Sequence, residues 1–140
     1  MNILKILTDK RKTGNKGEDE TAKHLKKHGY KIVAKNYVAG NHEIDIIAEN
    51  KEYTVFVEVK ARSEHSVYGF EYGNPSDAVN LPKQKRTIAA ARAYLLKRNG
   101  DREHDKMIRF DVIEVYLKSA AFATRPALLK LEHMEDAFTP

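Results

Sequence analysis

Three charged side chains interrupt two otherwise apolar segments of the chain. Asp45 lies within HEIDIIAE, residues 42–49, and thirteen positions later Glu58 is followed by Lys60 within VFVEVKAR, residues 55–62. Both segments are rich in valine and isoleucine, which predicts two strands joined by a turn. Carboxylates on neighbouring strands can bind a metal ion if their side chains share a face, so the register of the two strands matters.

The alternation of side chains along a strand predicts which of these groups meet. A turn at Asn50-Lys51 with an even number of loop residues pairs Ile44 with Val57 and Ile46 with Val55. One face is then apolar and comprises Ile44, Ile46, Ala48, Tyr53, Val55, Val57 and Val59. The other face carries Glu43 opposite Glu58, Asp45 opposite Phe56, and Lys60.

Clustered carboxylates of this kind need a counter-charge. Two like charges about 6 Å apart repel by roughly 3 kcal/mol at an effective dielectric constant near 20, whereas a surface ion pair contributes only about 0–1 kcal/mol. Lys60 alone is therefore too weak to offset Glu43, Asp45 and Glu58. A divalent cation would offset them, and Mg²⁺ or Mn²⁺ is expected because the chain has no cysteine to supply thiolate ligands. The alternative is a solvated, charged sheet face without a metal.

Composition indicates a single soluble domain. The chain has 140 residues, of which 41% are hydrophobic and 32% charged, enough for one core. No apolar stretch approaches the roughly 20 residues that span a bilayer, and the charged residues 1–12 do not resemble a signal peptide, so a cytoplasmic location is expected. The net charge of +5 is compatible with a polyanionic partner.

The predicted elements form an α/β domain with a mixed sheet flanked by helices, in the order α-β-β-β-α-β. A basic segment, residues 1–12, precedes the first helix. The helices are predicted over residues 16–28 and 83–98, the strands over 30–38, 42–49, 53–62 and 107–117, and a short strand running into a helical turn over 128–138. Residues 63–76, rich in glycine and polar residues, predict a mobile surface loop.

The motifs together resemble a known family. GNKGEDETAKHLKKHGYKIVAKNY, HEIDIIAE, VFVEVKAR, KQKRTIAAARAYL, RFDVIEV and HMEDAF look, in order and spacing, like the YraN-type family of small bacterial proteins, over about residues 13–138. This resemblance implies the PD-(D/E)xK nuclease superfamily and a restriction-endonuclease-like fold similar to that of Holliday-junction resolvases. It also implies a homodimer and a metal-dependent endonuclease acting on branched or non-B-form DNA. A non-catalytic module that binds DNA or RNA is the alternative.

The resemblance also implies roles for individual residues. Asp45 and Glu58 would ligate the Mg²⁺ or Mn²⁺ ion, the backbone carbonyl of Val59 would add a ligand, and Lys60 would position the attacking water. Glu18 matches an extra acidic residue contributed by resolvase-like members.

Two acidic residues keep a second interpretation. Asn15 and Glu18 also have the spacing of a capping box at a helix start. Glu43 either supports the metal ligands from behind or is a charge at a strand edge. His42 stands where the family usually has glycine, which affects the rim of the site.

Basic residues near the carboxylates are the expected contacts to nucleic acid. These are Lys16, Arg62, Lys83, Gln84, Lys85 and Arg86. Arg109 and Asp111 are expected to form a structural ion pair. His24 and His28 have metal-ligand spacing, but without a third ligand they are interpreted as surface residues.

Overall fold

The chain folds into a five-stranded sheet with a helix on each face. The computed structural model describes residues 3–63, 80–100, 105–118 and 127–140. Its elements are α1 (Ile3–Lys27), β1 (Lys31–Ala39), β2 (His42–Glu49), β3 (Tyr53–Ser63), α2 (Leu81–Asn99), β4 (Met107–Lys118) and β5 (Ala127–Phe138). The order α-β-β-β-α-β-β confirms the predicted α/β class with a mixed sheet. Apart from Ser63, which ends β3, the loop predicted over residues 63–76 lies outside the described residues.

The strands are ordered β1-β2-β3-β4-β5 across the sheet. All neighbours are antiparallel except β3 and β4, which run parallel over the whole length of β3. The chain reaches β4 from β3 by way of α2, as a parallel pair requires. β3 is therefore the central strand, and it carries Glu58, Lys60 and Arg62 between an antiparallel and a parallel neighbour.

The central strands of the sheet are buried on both faces, which corrects the expectation of one apolar and one charged face. On one face Ala22 and Leu25 of α1 pack with Val55 and Val57 of β3. On the other, Ala90, Ala91 and Tyr94 of α2 pack with residues that include Phe56 and Phe110. The Phe56 and Phe110 rings stack with their centroids 5.5 Å apart. Glu58, on the same face of β3 as Phe56, thus lies at the border of a core.

The register of β2 and β3 differs from the predicted one by two residues. Ile46 pairs with Val57 and Ala48 with Val55, and the paired residues run from Ile46–Val57 to Glu49–Thr54. The cause is the turn, because the Asn50 side chain accepts hydrogen bonds from the N–H groups of Glu52 (2.9 Å) and Tyr53 (2.7 Å). This Asx turn moves the loop to residues 51–52.

β2 also changes face near its start. Ile44 packs in the α2 cluster, whereas Ile46, two residues later, packs in the α1 cluster. The predicted position of Ile44 on the apolar face with Val57 is therefore wrong. Regular alternation would put both isoleucines on one face, so the strand twists over at Asp45, between them.

α1 is longer than predicted and begins at Ile3 rather than near residue 16. Asn15 consequently lies inside the helix, so the proposed capping box of Asn15 and Glu18 is wrong. The segment 128–138 also differs, since all of it belongs to strand β5, paired with β4, instead of entering a helical turn. Neither helix in the described residues is both long and apolar enough to cross a membrane.

A buried ion pair on the α1 face joins three elements. Arg109 donates two hydrogen bonds of 2.8 Å to Asp111, which confirms the predicted pair. His133 of β5 contacts the same carboxylate at 2.7 Å, and its other ring nitrogen is 2.9 Å from Nε2 of His24. His24 is therefore half-buried and bridged to β5, not a plain surface residue, whereas His28 is exposed as expected. Burial raises the pKa of Asp111, but the hydrogen bonds from His133 and Arg109 outweigh it and hold that pKa below its usual value.

Helix α1 approaches β3 closely at Gly17. A Cβ atom at this position would lie 2.7 Å from the Cβ of Ala61, which is inside van der Waals contact. Gly17 thus permits a contact that a side chain would prevent, and it places the next residue, Glu18, beside the sheet.

We expect Gly17→Ala to destabilise the protein by about 1–3 kcal/mol, because the added methyl overpacks against Ala61. The clash should outweigh the gain in helix propensity of up to about 1 kcal/mol. Urea unfolding measures the difference. Ala61→Gly removes the methyl group that the new side chain would contact. Gly17→Ala should therefore destabilise the Ala61→Gly protein less than it destabilises the wild type. If Gly17→Ala is as stable as the wild type, the close approach of α1 is wrong.

Candidate functional site

Asp45 and Glu58 meet where β2 and β3 cease to pair. Past Ile46 and Val57, the N–H of Val59 donates a 2.8 Å hydrogen bond to Oδ2 of Asp45. The Asp45 carboxyl is half-buried and lies close to the side chain of Glu58, which is 8% exposed. The two carboxylates therefore form a pair at the point where the strands stop pairing.

The environment of Asp45 favours the neutral form of its carboxyl group. Burial raises its pKa to about 7, and the negative charges of Glu58 and Glu18 act in the same direction, against the hydrogen bond from Val59. Like charges in a desolvated site favour the neutral form of one partner. Perturbed carboxylates of this kind occur frequently at functional sites, although structural clusters also produce them.

Glu18 approaches the pair from α1. Its Oε2 accepts a 3.2 Å hydrogen bond from Nδ2 of Asn36 on β1. Asn36 has a positive φ of 51°, a conformation that asparagine tolerates better than most residues. The structure therefore brings the three predicted acidic residues Glu18, Asp45 and Glu58 into one neighbourhood, and it leaves no capping role for Glu18.

The carboxylates open into a cleft of about 240 Å³ between the start of β2 and the start of α2. Its lining residues are Asn41, His42, Glu43, Asp45, Glu58, Lys83, Arg86 and Thr87. Glu43 is exposed and His42 half-buried, so both contribute to the rim. Glu43 does lie beside the carboxylate pair, but the structure gives it no hydrogen bond to either acid.

The first turns of α2 supply the positive side of the cleft. The side chain of Asn80 caps the helix by accepting a 3.0 Å hydrogen bond from the N–H of Lys83, and Pro82 follows in the first turn. This start orients Lys83 so that its Nζ forms an ion pair with Glu58. Arg86 lines the same cleft one turn on. The ammonium that pairs with Glu58 is therefore that of Lys83, which the sequence indicated only as a contact to nucleic acid.

Lys60 and Arg62 extend from β3 on the same face as Glu58. Lys60 is half-buried and stands beside Glu114 of β4 in the parallel register, and it is not among the residues that line the cleft. Arg62 forms an ion pair with Glu114, whose side chain is fully buried. The sequence analysis missed Glu114, although an acidic residue within the apolar run RFDVIEV was the available signal.

The remaining predicted contacts to nucleic acid are distributed differently. Lys16 pairs with Glu20 on its own helix at 2.7 Å. Lys85 is exposed on α2, and Gln84 is half-buried with its N–H donating to the carbonyl of Asn80. Of the six, Lys83 and Arg86 line the cleft, and Gln84 and Lys85 lie between them in the sequence.

The donor set fits a hard divalent cation. Within the described ranges no three His, Asp or Glu side chains are grouped closely enough to enclose a metal ion. Asp45 and Glu58 do form a carboxylate pair, and Mg²⁺ is commonly held by one or two carboxylates with water and phosphate oxygens completing its shell. The predicted role of the Val59 carbonyl stays a prediction.

Comparison with known proteins identifies the family. The family model described as "Uncharacterised protein family UPF0102" matches residues 17–115. The chain belongs to the UPF0102 family. A UPF0102 protein of Flavobacterium johnsoniae is 38% identical over 125 residues, covering 89% of this chain and 92% of the relative. UPF0102 proteins of Chlorobium phaeobacteroides (39% over 131 residues, covering 94% and 96%) and Clostridium perfringens (42% over 122 residues, covering 87% and 89%) are similar.

This result confirms the resemblance to the YraN-type family, which is UPF0102. The segment matched by the UPF0102 model contains every residue that lines the cleft, as well as Glu18 and Lys60. It ends within β4 and leaves out β5. The candidate site is therefore built entirely from the part of the chain that defines the family.

The pKa of Asp45 predicts a pH-dependent contribution to stability. An unfolded Asp has a pKa of about 3.9, whereas Asp45 titrates at about 7 in the folded protein. The folded state therefore binds the proton more tightly, and this stabilisation is lost as the pH rises through about 7. In EDTA, the free energy of unfolding of the wild type should fall from about pH 5 to about pH 8 by roughly 1–3 kcal/mol more than that of Asp45→Asn.

Urea titrations at a series of pH values measure this difference. The amide side chain introduced by Asp45→Asn can still accept the Val59 hydrogen bond and cannot ionise, so the substitution isolates the charge. Parallel profiles for the two proteins would show that Asp45 is already ionised in the folded state.

Proposed function

We propose that this protein is a metal-dependent endonuclease of the PD-(D/E)xK type that hydrolyses phosphodiester bonds in DNA. The observation that carries the proposal is the placement of Asp45 and Glu58 together in one cleft, next to the basic start of α2. Without a metal, Lys83 is the counter-ion of Glu58, and burial raises the pKa of Asp45. A divalent cation in their place would neutralise both carboxylates.

The charge arrangement suits a phosphodiester substrate. Positive groups at the start of α2 coincide with the positive end of the helix dipole, which favours bound anions. Lys83 and Arg86 lie on the cleft wall, and Lys85 is exposed nearby. Phosphate contacts of this sort carry no sequence information, so we propose that the protein recognises DNA structure, such as a branched or non-B-form site. We also propose that it is cytoplasmic and acts as a homodimer.

Each residue then has a defined task. Asp45 and Glu58 would hold Mg²⁺ or Mn²⁺, with the Val59 carbonyl as a further ligand, and Glu18 would stand behind them. When bound, the metal ion supplies positive charge at the phosphate and acidifies a coordinated water. Arg86 binds a phosphate oxygen and orients the scissile bond. Lys60, on the same face of β3 as Glu58, would orient the attacking water. As that water adds to phosphorus and releases a proton to solvent, the P–O bond to the leaving oxygen breaks, and the leaving oxygen takes up a proton.

Cleavage assays with purified protein test the proposal. Four-way junction, flap, single-stranded and duplex DNA are incubated with Mg²⁺ or Mn²⁺, and products are separated on denaturing gels. Glu58→Ala should lower the rate at least about 100-fold, because removing a metal ligand should cost at least as much as removing its supporting groups. Lys60→Ala should also lower the rate. Glu52→Ala, which removes an exposed carboxylate from the β2–β3 turn, is the matched control.

Two outcomes would contradict the assignment. Cleavage that persists unchanged in Glu58→Ala and Lys60→Ala would show that the activity arises elsewhere or from a contaminant. Absence of cleavage on every substrate with both metals would remove the catalytic proposal altogether.

One observation favours a non-catalytic alternative. The ion pair of Lys83 with Glu58 compensates a carboxylate charge without any metal, so the site is also compatible with a module that only binds DNA or RNA. Low-salt binding without cleavage, and no calorimetric heat on adding Mg²⁺ or Mn²⁺, would favour this alternative over the endonuclease.

A further inference from the structure

We propose that Lys83 is an exchangeable counter-ion: it pairs with Glu58 in the metal-free protein, and a divalent cation displaces it so that its ammonium group binds a phosphate oxygen of the substrate. The inference rests on the proposed function and adds to it a coupling between metal binding and substrate binding. The structural basis is the juxtaposition of Lys83, Glu58 and Asp45 on one cleft.

The backbone of Lys83 is fixed while its side chain can move. The Asn80 cap accepts a hydrogen bond from the Lys83 N–H, and the Gln84 N–H donates to the Asn80 carbonyl at 2.9 Å, so the first turn of α2 is anchored. The Lys83 side chain is 33% exposed, whereas that of Glu58 is 8% exposed. The ammonium group can therefore leave the carboxylate on its flexible stem without movement of the helix.

The charges of the site give the reason for exchange. Asp45 and Glu58 together offer two negative charges when both are ionised, and Lys83 neutralises only one of them. A divalent cation neutralises both carboxylates. It then repels the Lys83 ammonium group, which Glu58 attracts less strongly because its charge is already compensated. Arg86 lines the same cleft, so a displaced Lys83 ammonium group and the Arg86 guanidinium group both lie at the wall of that cleft. Two adjacent cations favour a phosphate between them.

Metal affinity gives a readout that does not depend on activity. Isothermal titration calorimetry with Mn²⁺ and with Mg²⁺, at pH 8.5 and without nucleic acid, compares the wild type with Lys83→Met. Lys83→Met removes the charge-assisted hydrogen bond to Glu58 that competes with the metal. The affinity of this variant for the metal should therefore be roughly tenfold higher than that of the wild type. Lys83→Arg keeps a competing cation and should bind metal as the wild type does.

Lys85→Met is the matched control for this titration. It removes the same charge two residues away, from an exposed position on the same helix. If Lys85→Met tightens metal binding as much as Lys83→Met, the effect is long-range electrostatics and the exchange is overturned. Circular dichroism of each variant verifies that α2 and the sheet are folded.

Nucleic-acid binding supplies an independent readout. Affinity for duplex or junction DNA is measured across a salt series, once in EDTA and once with Ca²⁺, which occupies oxygen-ligand sites. With Ca²⁺, Lys83→Met should lower the log–log salt slope by about 0.9, the value for one phosphate contact. In EDTA, where Lys83 is engaged by Glu58, the slope should not change. Equal losses in both conditions would overturn the exchange.

The outcomes separate this inference from the proposed function. A wild type that binds Mn²⁺ and cleaves DNA, with Lys83→Met binding Mn²⁺ no tighter, overturns the exchange and leaves the endonuclease intact. If Lys83→Met binds Mn²⁺ more tightly but neither the wild type nor any variant cleaves DNA, the exchange is supported and the endonuclease proposal is contradicted. If no variant binds Mn²⁺ or Mg²⁺, both proposals fail.

Discussion

The ladder between β2 and β3 ends at Ile46 and Val57, and the candidate site depends on this ending. Beyond it β3 continues beside β4 as far as Ser63, and the Val59 N–H turns to the Asp45 carboxyl in place of a β2 carbonyl. A valine at position 45 would leave that donor without this acceptor, at a cost of about 1–3 kcal/mol if it were buried. The hydrogen bond thus fixes the acid next to Glu58, so one side chain satisfies the backbone and creates the carboxylate pair.

The twist of β2 at Asp45 lets both helices reach the pair. Ile44 belongs to the α2 cluster and Ile46 to the α1 cluster, so Asp45 lies where the strand changes face. The charge of Glu18 on α1 raises the pKa of Asp45. Asp45 lines the cleft together with Lys83 of α2. Burial on both faces is the reason that these charges cannot simply be solvated. The site therefore combines an excess of negative charge from the sheet and α1 with positive charge from α2.

The sequence predicted the faces of β3 better than it predicted the contacts. The register was wrong by two residues, but a shift of two preserves parity, so Glu58 still lies on the face opposite Val57. What failed depended on local geometry that periodicity does not encode. The Asx turn at Asn50 moved the loop, and the twist at Asp45 moved Ile44 to the other cluster. α1 extends N-terminal to the predicted start near residue 16, through Gly14, and Gly17 allows close packing on Ala61.

The lysine that pairs with Glu58 was beyond periodicity for a similar reason. Lys60 is two residues from Glu58 in the sequence, whereas Lys83 reaches Glu58 only because α2 packs closely on the sheet. The small side chains of Ala90 and Ala91 permit that packing, and Tyr94 meets the Phe56 ring edge-on with centroids 5.8 Å apart. On β3 itself, Arg62 is already paired with the buried Glu114. The positive charge that faces the carboxylates therefore comes from the helix, and the electrostatics of the cleft depend on an apolar contact about two turns further along it.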